Sequence, residues 1–238
     1  MAIRIIPDRA VEEKAIIHPR YLDDELIQVP AMALERARME LGHMAELTEG
    51  MLDKVRPALR SGDLSELSQQ HDRIVALREA VFGYLQHVGR AEFSDAEAGE
   101  HAQLVAAIGE IENMSVAISR ELTPLAHALQ EANTTPSRET GELLGRLFST
   151  IQTSAHSALR ALVEQDEQAA RGVVASRGAI LELTSEFHRL QALRVAGDDP
   201  DRLLKHRVQL EILERLRRLY SVAEHMAVSV LPRSDVAG

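Results

Sequence analysis

The sequence predicts an all-α protein: six long antiparallel helices, arranged as two three-helix repeats that form one elongated bundle. Three observations predict it. Apolar residues recur at alternating steps of three and four over long stretches, which holds them on one face of a helix. Aromatic residues make up only 3% of the chain and Trp is absent, while Leu, Ala, Met and charged residues dominate, the composition of long packed helices. One polar break, EANTTPS at Glu131–Ser137, divides the 238 residues nearly in half, and three helices are legible on each side.

Residues 1–29 read as an extended arm. His18-Pro19 disfavours helix at the residue before proline, and Asp23-Asp24-Glu25 supports only a short turn. Ile16, Ile17, Tyr21, Leu22 and Leu26 are apolar enough to dock on a bundle, against the alternative of a loose terminus. The first repeat spans residues 30–131. Its first helix starts at Pro30, whose missing N–H costs nothing in the first turn. Leu34, Ala37, Leu41, Met44, Thr48, Met51, Val55 and Ala58 form its buried stripe. Pro57 should bend or loosen its last turns, and Gly62 should cap it in the left-handed conformation.

Helix two is expected from Asp63, with Glu66 completing an Asp variant of the capping box. Its stripe is Leu64, Leu67, Ile74, Val81, Leu85 and Val88, and it ends at Gly89. Ser94-Asp95-Ala96-Glu97 is a second capping box and opens helix three. There Leu104, Ile108, Ile111, Ser115, Ile118, Leu122, Leu125 and Leu129 keep the alternation. Pro124 predicts a kink near Arg120 rather than an end.

The second repeat spans residues 137–231. Helix four carries Leu144, Leu147, Ile151, Ala158 and Leu162. Asp166 caps helix five, which buries Ala170, Val173, Ile180, Thr184 and Phe187 and runs to Gly197. Asp199-Pro200 pairs an N-cap with proline at the first helical position and opens helix six, with Leu204, Val208, Ile212, Leu216, Leu219, Ala223, Met226 and Val230 buried. Pro232 ends it, and residues 232–238 form a frayed tail. QLVAAIGEIENMSVA at Gln103 and QLEILERLRRLYSVA at Gln209 both begin Gln-Leu and end Ser-Val-Ala, although the shared element pattern carries more of the repeat than these identities.

The absence of Cys excludes disulfides, thiolate metal sites and Cys nucleophiles. A net charge of −10 argues against a nucleic-acid partner, because phosphates are repelled without a concentrated basic face. No apolar run approaches the roughly 20 residues a membrane-spanning helix needs, and the charged start MAIRIIPDRAVEEK does not read as a signal peptide. The expectation is a soluble, intracellular chain.

A helical bundle holds two metals when Glu-x-x-His recurs on two helices. This chain has one such match, Glu40-Leu-Gly-His43, and no second. His71 and Arg177 fall at core positions of helices two and five, where such groups are usually paired or reach for solvent. Lys205, Arg215, Arg217 and Arg218 make helix six locally basic, either as a solvated face or as a patch for a partner or lipid headgroups. No Gly-rich phosphate loop, nucleotide fingerprint or Ser/His/Asp set is present. The chain is expected not to be an enzyme and to hold no cofactor.

PRYLDDELIQVPAMALERARMEL, from Pro19 to Leu41, resembles the junction of bacterial sodium-dependent phosphate cotransporters, where the membrane domain gives way to a cytoplasmic PhoU-like helical domain. IPDRAVEE, Ile6–Glu13, is similar to the linker that follows their last membrane helix. The resemblance covers nearly the whole chain and is strongest from Ile6 to Leu59. It implies a regulatory domain on the cytoplasmic side of the inner membrane, joined in cis to a transporter membrane domain through a coupling arm that includes Tyr21, Leu22 and Leu26. It also implies phosphate homeostasis as the process. PhoU proteins carry acidic metal-binding positions on the third helix of each repeat, close to L-E-R-I-G-D-H-A-x-N-I-A. Here those positions fall on Gly109, Asn113, Arg217 and Ser221, so no metal ligand is assigned. A homodimer and a regulatory protein partner are both compatible with such stripes. A free-standing PhoU-like adaptor and a metal-dependent helical-bundle enzyme are the alternative readings.

Overall fold

The sequence pattern of long apolar stripes separated by tight turns builds an all-α bundle. The structure, a computed structural model, describes residues 18–132, 137–192 and 200–232, without the side chains of residues 122–124, 126–132 and 200–205. Ile6–Glu13, Ile16, Ile17, residues 133–136, the expected stop at Gly197, the Asp199 cap and the tail from residue 233 lie outside the described residues, as do the side chains of Leu122, Pro124, Leu129, Leu204 and Lys205.

A 3-10 turn at Asp24–Leu26 precedes α1 (Pro30–Ser61), α2 (Ser65–Val88), α3 (Asp95–Ala132), α4 (Arg138–Glu164), α5 (Glu167–Ala175), α6 (Arg177–Ala192) and α7 (Pro200–Val230). α5 and α6 are one rod interrupted at Ser176, so the described residues form six long helices and contain no strand. α1, α2 and α3 pack on one another, and α4 packs on α5, α6 and α7. The two groups meet along α3–α7 and α1–α4.

α1 shows how the sequence produces this. Pro30 occupies its first turn, and Gly62 caps it at φ 76°, with its N–H on the Ala58 carbonyl at 2.8 Å. All eight residues of the expected stripe are buried. At 1.5 Å per residue its 32 residues span about 48 Å, long enough to serve as a wall for both α2 and α3.

Some local expectations are corrected. α2 begins at Ser65, not Asp63, and Leu64 at its N-cap makes no side-chain cap. The capping box fails because its groups are used elsewhere. Ser61 Oγ accepts the Asp63 N–H at 3.2 Å, Asp63 Oδ1 accepts the Ser65 N–H at 3.0 Å, and Glu66 pairs with Lys54 of α1. The second box does form: Ser94 N–H donates to Glu97 Oε2 at 2.8 Å, and Glu97 N–H to Ser94 Oγ at 3.4 Å. α3 continues through Pro124 to Ala132.

The break at Ser176 has a hydrogen-bond cause. The Val173 carbonyl accepts from Ser176 Oγ at 2.6 Å and from Tyr220 OH of α7 at 3.0 Å. These donors draw the carbonyl out of the helical ladder. Arg177, expected near the core, is 60% exposed and donates to Glu224 at 2.7 Å. His71 is half-buried beside Ser115 Oγ at 3.1 Å.

On α7, Val208, Leu216, Leu219, Ala223 and Met226 are buried as expected, whereas Ile212 and Val230 are only half-buried. Leu213, Tyr220 and Ala227 are buried as well. α7 packs against α3, α4 and α5 together, so its covered face is wider than one stripe. This also corrects the register between halves. Burial pairs Ile108 with Leu213, Ile111 with Leu216, Ser115 with Tyr220 and Ile118 with Ala223. The Gln-Leu…Ser-Val-Ala match instead pairs buried Ser115 with exposed Ser221, one residue out of phase.

Candidate functional site: the joint between arm and bundle

Glu40 and His43 stand three residues apart on α1 and therefore side by side. Glu40 is fully buried and His43 is 6% exposed. Glu40 Oε1 lies 2.7 Å from His43 Nδ1. Its other oxygen, Oε2, accepts two consecutive backbone N–H groups of the arm, Arg20 at 2.7 Å and Tyr21 at 2.8 Å. A buried carboxylate is tolerated only when its charge is matched by donors. Here three donors converge on it, and the arm supplies two of them. The carboxylate as acceptor places the His43 proton on Nδ1.

The rest of the joint surrounds this contact. The Tyr21 ring meets the His43 ring edge-on, with centroids 6.5 Å apart. Asp23 caps the 3-10 turn through Oδ1, which accepts the Glu25 N–H at 3.0 Å. Tyr84 of α2 donates its hydroxyl to the Asp23 carbonyl at 3.0 Å. Burial, and then the nearby Asp23 carboxylate, push the Tyr84 hydroxyl above the usual phenol range. Leu22 and Ile27 pack against the core, while Leu26 is half-buried. Beside the joint, Val29, Met32 and Met39 are exposed.

The three expected arm residues thus lie together at one joint. The sequence reading missed Ile27, Tyr84 and the role of Glu40, which it met only as half of a metal motif. A signal was present: Glu40 falls at helical spacing with Ala33, Ala37 and Met44, all buried. A carboxylate at a core position needs donors, and the arm before its 3-10 turn has backbone amides at Arg20 and Tyr21 to give.

The positions aligned with PhoU metal ligands do not converge. Gly109 is half-buried, while Asn113, Arg217 and Ser221 are exposed. The neighbouring acids are paired: Glu110 with His225, Glu112 with Arg78, Glu214 with Arg217. Among the described residues no group of three or more His, Asp or Glu is arranged to hold a metal ion. The three arginines of the basic run of α7 are also occupied. Arg215 bonds Glu121 and Glu211, and Arg218 bonds Glu121.

A second polar seam joins α1 to α4. Asp53 Oδ1 accepts from Gln152 Nε2 and faces His156 Nε2, each at 3.1 Å. A groove of about 410 Å3 beside it is lined by Glu46, Glu49, His156, Arg160 and Glu164. None of the described helices is long and apolar enough to cross a membrane.

No protein-family model matches the chain. The chain is similar over 98% of its length to a Salmonella typhimurium protein named "Putative inorganic phosphate export protein YjbB", at 22% identity over 234 residues. A protein of the same name from Escherichia coli O157:H7 is 21% identical over 221 residues, 92% of this chain. The chain spans 43% and 41% of the length of these two relatives, so it is similar to less than half of each.

Proposed function

We propose that this chain is the regulatory helical domain of a phosphate transporter, not itself catalytic, and that the arm of residues 6–29, described from residue 18, couples it to a membrane domain in cis. The observation that carries the reading is the similarity, along nearly the whole chain, to less than half of proteins named for inorganic phosphate export. A helical part with no described membrane-crossing helix fits the non-membrane portion of such a protein. The arm supports the coupling role, because it is held by specific bonds to the first helix of the bundle. The sodium dependence implied by the cotransporter resemblance, a place on the cytoplasmic side of the inner membrane, a homodimer and a regulatory protein partner belong to the same proposal.

The test is fractionation of the source cell, followed by phosphate flux. An antibody against the bundle should detect a band larger than 26.3 kDa in the membrane fraction. Cells expressing that full-length protein should move labelled phosphate, with flux measured in both directions and with and without sodium. A soluble band near the mass of this chain would favour the free-standing adaptor. Flux indifferent to the loss of the bundle would overturn the regulatory role.

A further inference from the structure

We propose, resting on the reading of residues 18–29 as a coupling arm, that this arm is a releasable strap whose catch is the Glu40 carboxylate. Each polar tie that holds it is one that water replaces. Arg20 and Tyr21 contribute backbone N–H groups to Glu40, and Tyr84 contributes a hydroxyl to the Asp23 carbonyl. Opening the strap exchanges these bonds for bonds to water, so their part of the cost is their net worth rather than their gross strength.

Glu40 is not stranded when the arm leaves. His43 remains beside it on the same helix, and water fills the positions of the two amides. A carboxylate that is satisfied in both states makes a catch, and Leu22 and Ile27, only half-buried, add a modest apolar hold beside it. The core behaves differently. Leu34, Leu41 and Met44 are buried on α1, which packs on α2, α3 and α4, and they are uncovered only if helices part. The arm and the core therefore differ in the free energy at which they open.

Release also has a visible surface consequence. Leu22 and Ile27 leave the core, and the apolar area they covered is added to a surface on which Val29, Met32 and Met39 are already exposed. Met32 and Met39 are two turns apart on one face of α1, next in helical phase to His43.

Hydrogen exchange on the whole chain tests the strap. In the unmodified protein, the Arg20 and Tyr21 amides should exchange through an opening that leaves the Leu41 and Met44 amides protected. Glu40→Gln should speed exchange at Arg20 and Tyr21 about tenfold or more and leave Leu41 and Met44 unchanged. The glutamine carbonyl can still face the arm while its amide donates to His43 in the other tautomer, so the substitution removes charge assistance and spares the fold. Arm and core amides that exchange together in the unmodified protein would overturn the proposal, as would unchanged Arg20 and Tyr21 rates in the variant. Should the variant unfold, the unmodified protein still decides. No transport is measured, so failure here leaves the transporter reading standing. A strap that opens in Glu40→Gln while regulated flux is unaffected would count against that reading alone.

Discussion

Arg215 of α7 reaches Glu121 of α3 at 2.5 Å, and Arg218 takes the other carboxylate oxygen at 2.9 Å. One acidic group on the first half of the bundle thus gathers two cations from the second. The hydrogen bond to Glu121 is the largest cause holding the Arg215 guanidinium above its ordinary pKa. Arg215 and Glu121 are both largely covered, whereas Arg218 is 69% exposed. Glu121→Gln should destabilise the protein by about 1–2 kcal/mol, and Arg218→Ala by less than about 0.5 kcal/mol. Urea unfolding of both variants checks the order. Equal effects would mean that the pair does not fasten the two halves.

Two tyrosines predict a loss of stability at alkaline pH. Burial is the largest cause raising both Tyr84 and Tyr220 above the ordinary phenol value. The folded chain then holds these protons more tightly than the unfolded chain does. Their contribution is complete below the unfolded value, about 10, and is lost as pH rises through the folded values. Tyr84→Phe should flatten the alkaline limb and cost about 1 kcal/mol near neutrality, through the lost bond to the Asp23 carbonyl. Denaturation midpoints compared between roughly pH 8 and pH 11 measure both effects.

Helices and their buried faces were legible because a three-four stripe has one physical meaning over many turns. Leu34 to Ala58 shows this, every predicted position being buried. What escaped was set by partners distant in sequence. Asp63 and Glu66 have the right spacing for a cap, yet Ser65 and Lys54 claim them. The α5–α6 interruption depends on Tyr220, far along the chain from Val173. The joint was half visible. Apolar residues in the arm signalled docking, but nothing local reveals that Arg20 and Tyr21 present their amides to Glu40.

The C-terminal end of α1 offers two changes of opposite sign. Gly62 caps it at φ 76°, a conformation that costs a residue with a Cβ about 1 kcal/mol or more. Pro57 lies inside the same helix and removes one ladder hydrogen bond. Gly62→Ala should therefore lower stability by about 1 kcal/mol, and Pro57→Ala should raise it by about 1–3 kcal/mol. Thermal melts of the two single variants test the signs. A stabilising Gly62→Ala would show that this cap is not needed.

The arm predicts a ranking in transport. Leu22 packs against the core, whereas Leu26 is half-buried beside the 3-10 turn. Serine at position 22 removes most of an apolar side chain from that contact, worth about 1–2 kcal/mol, and so favours the open arm. Leu26 is half-buried too but lies outside that core packing, so Leu26→Ser should act more weakly. Neither residue belongs to the helical core, so the helical circular dichroism of each variant should match the unmodified protein. Under the proposed transporter function, Leu22→Ser in the full-length protein should weaken regulation of phosphate flux more than Leu26→Ser, and the double variant should uncouple it. Regulation that survives the double variant, with the protein present in the membrane at normal level, would remove the arm from the mechanism. The bundle would then have to act on the membrane domain through another surface.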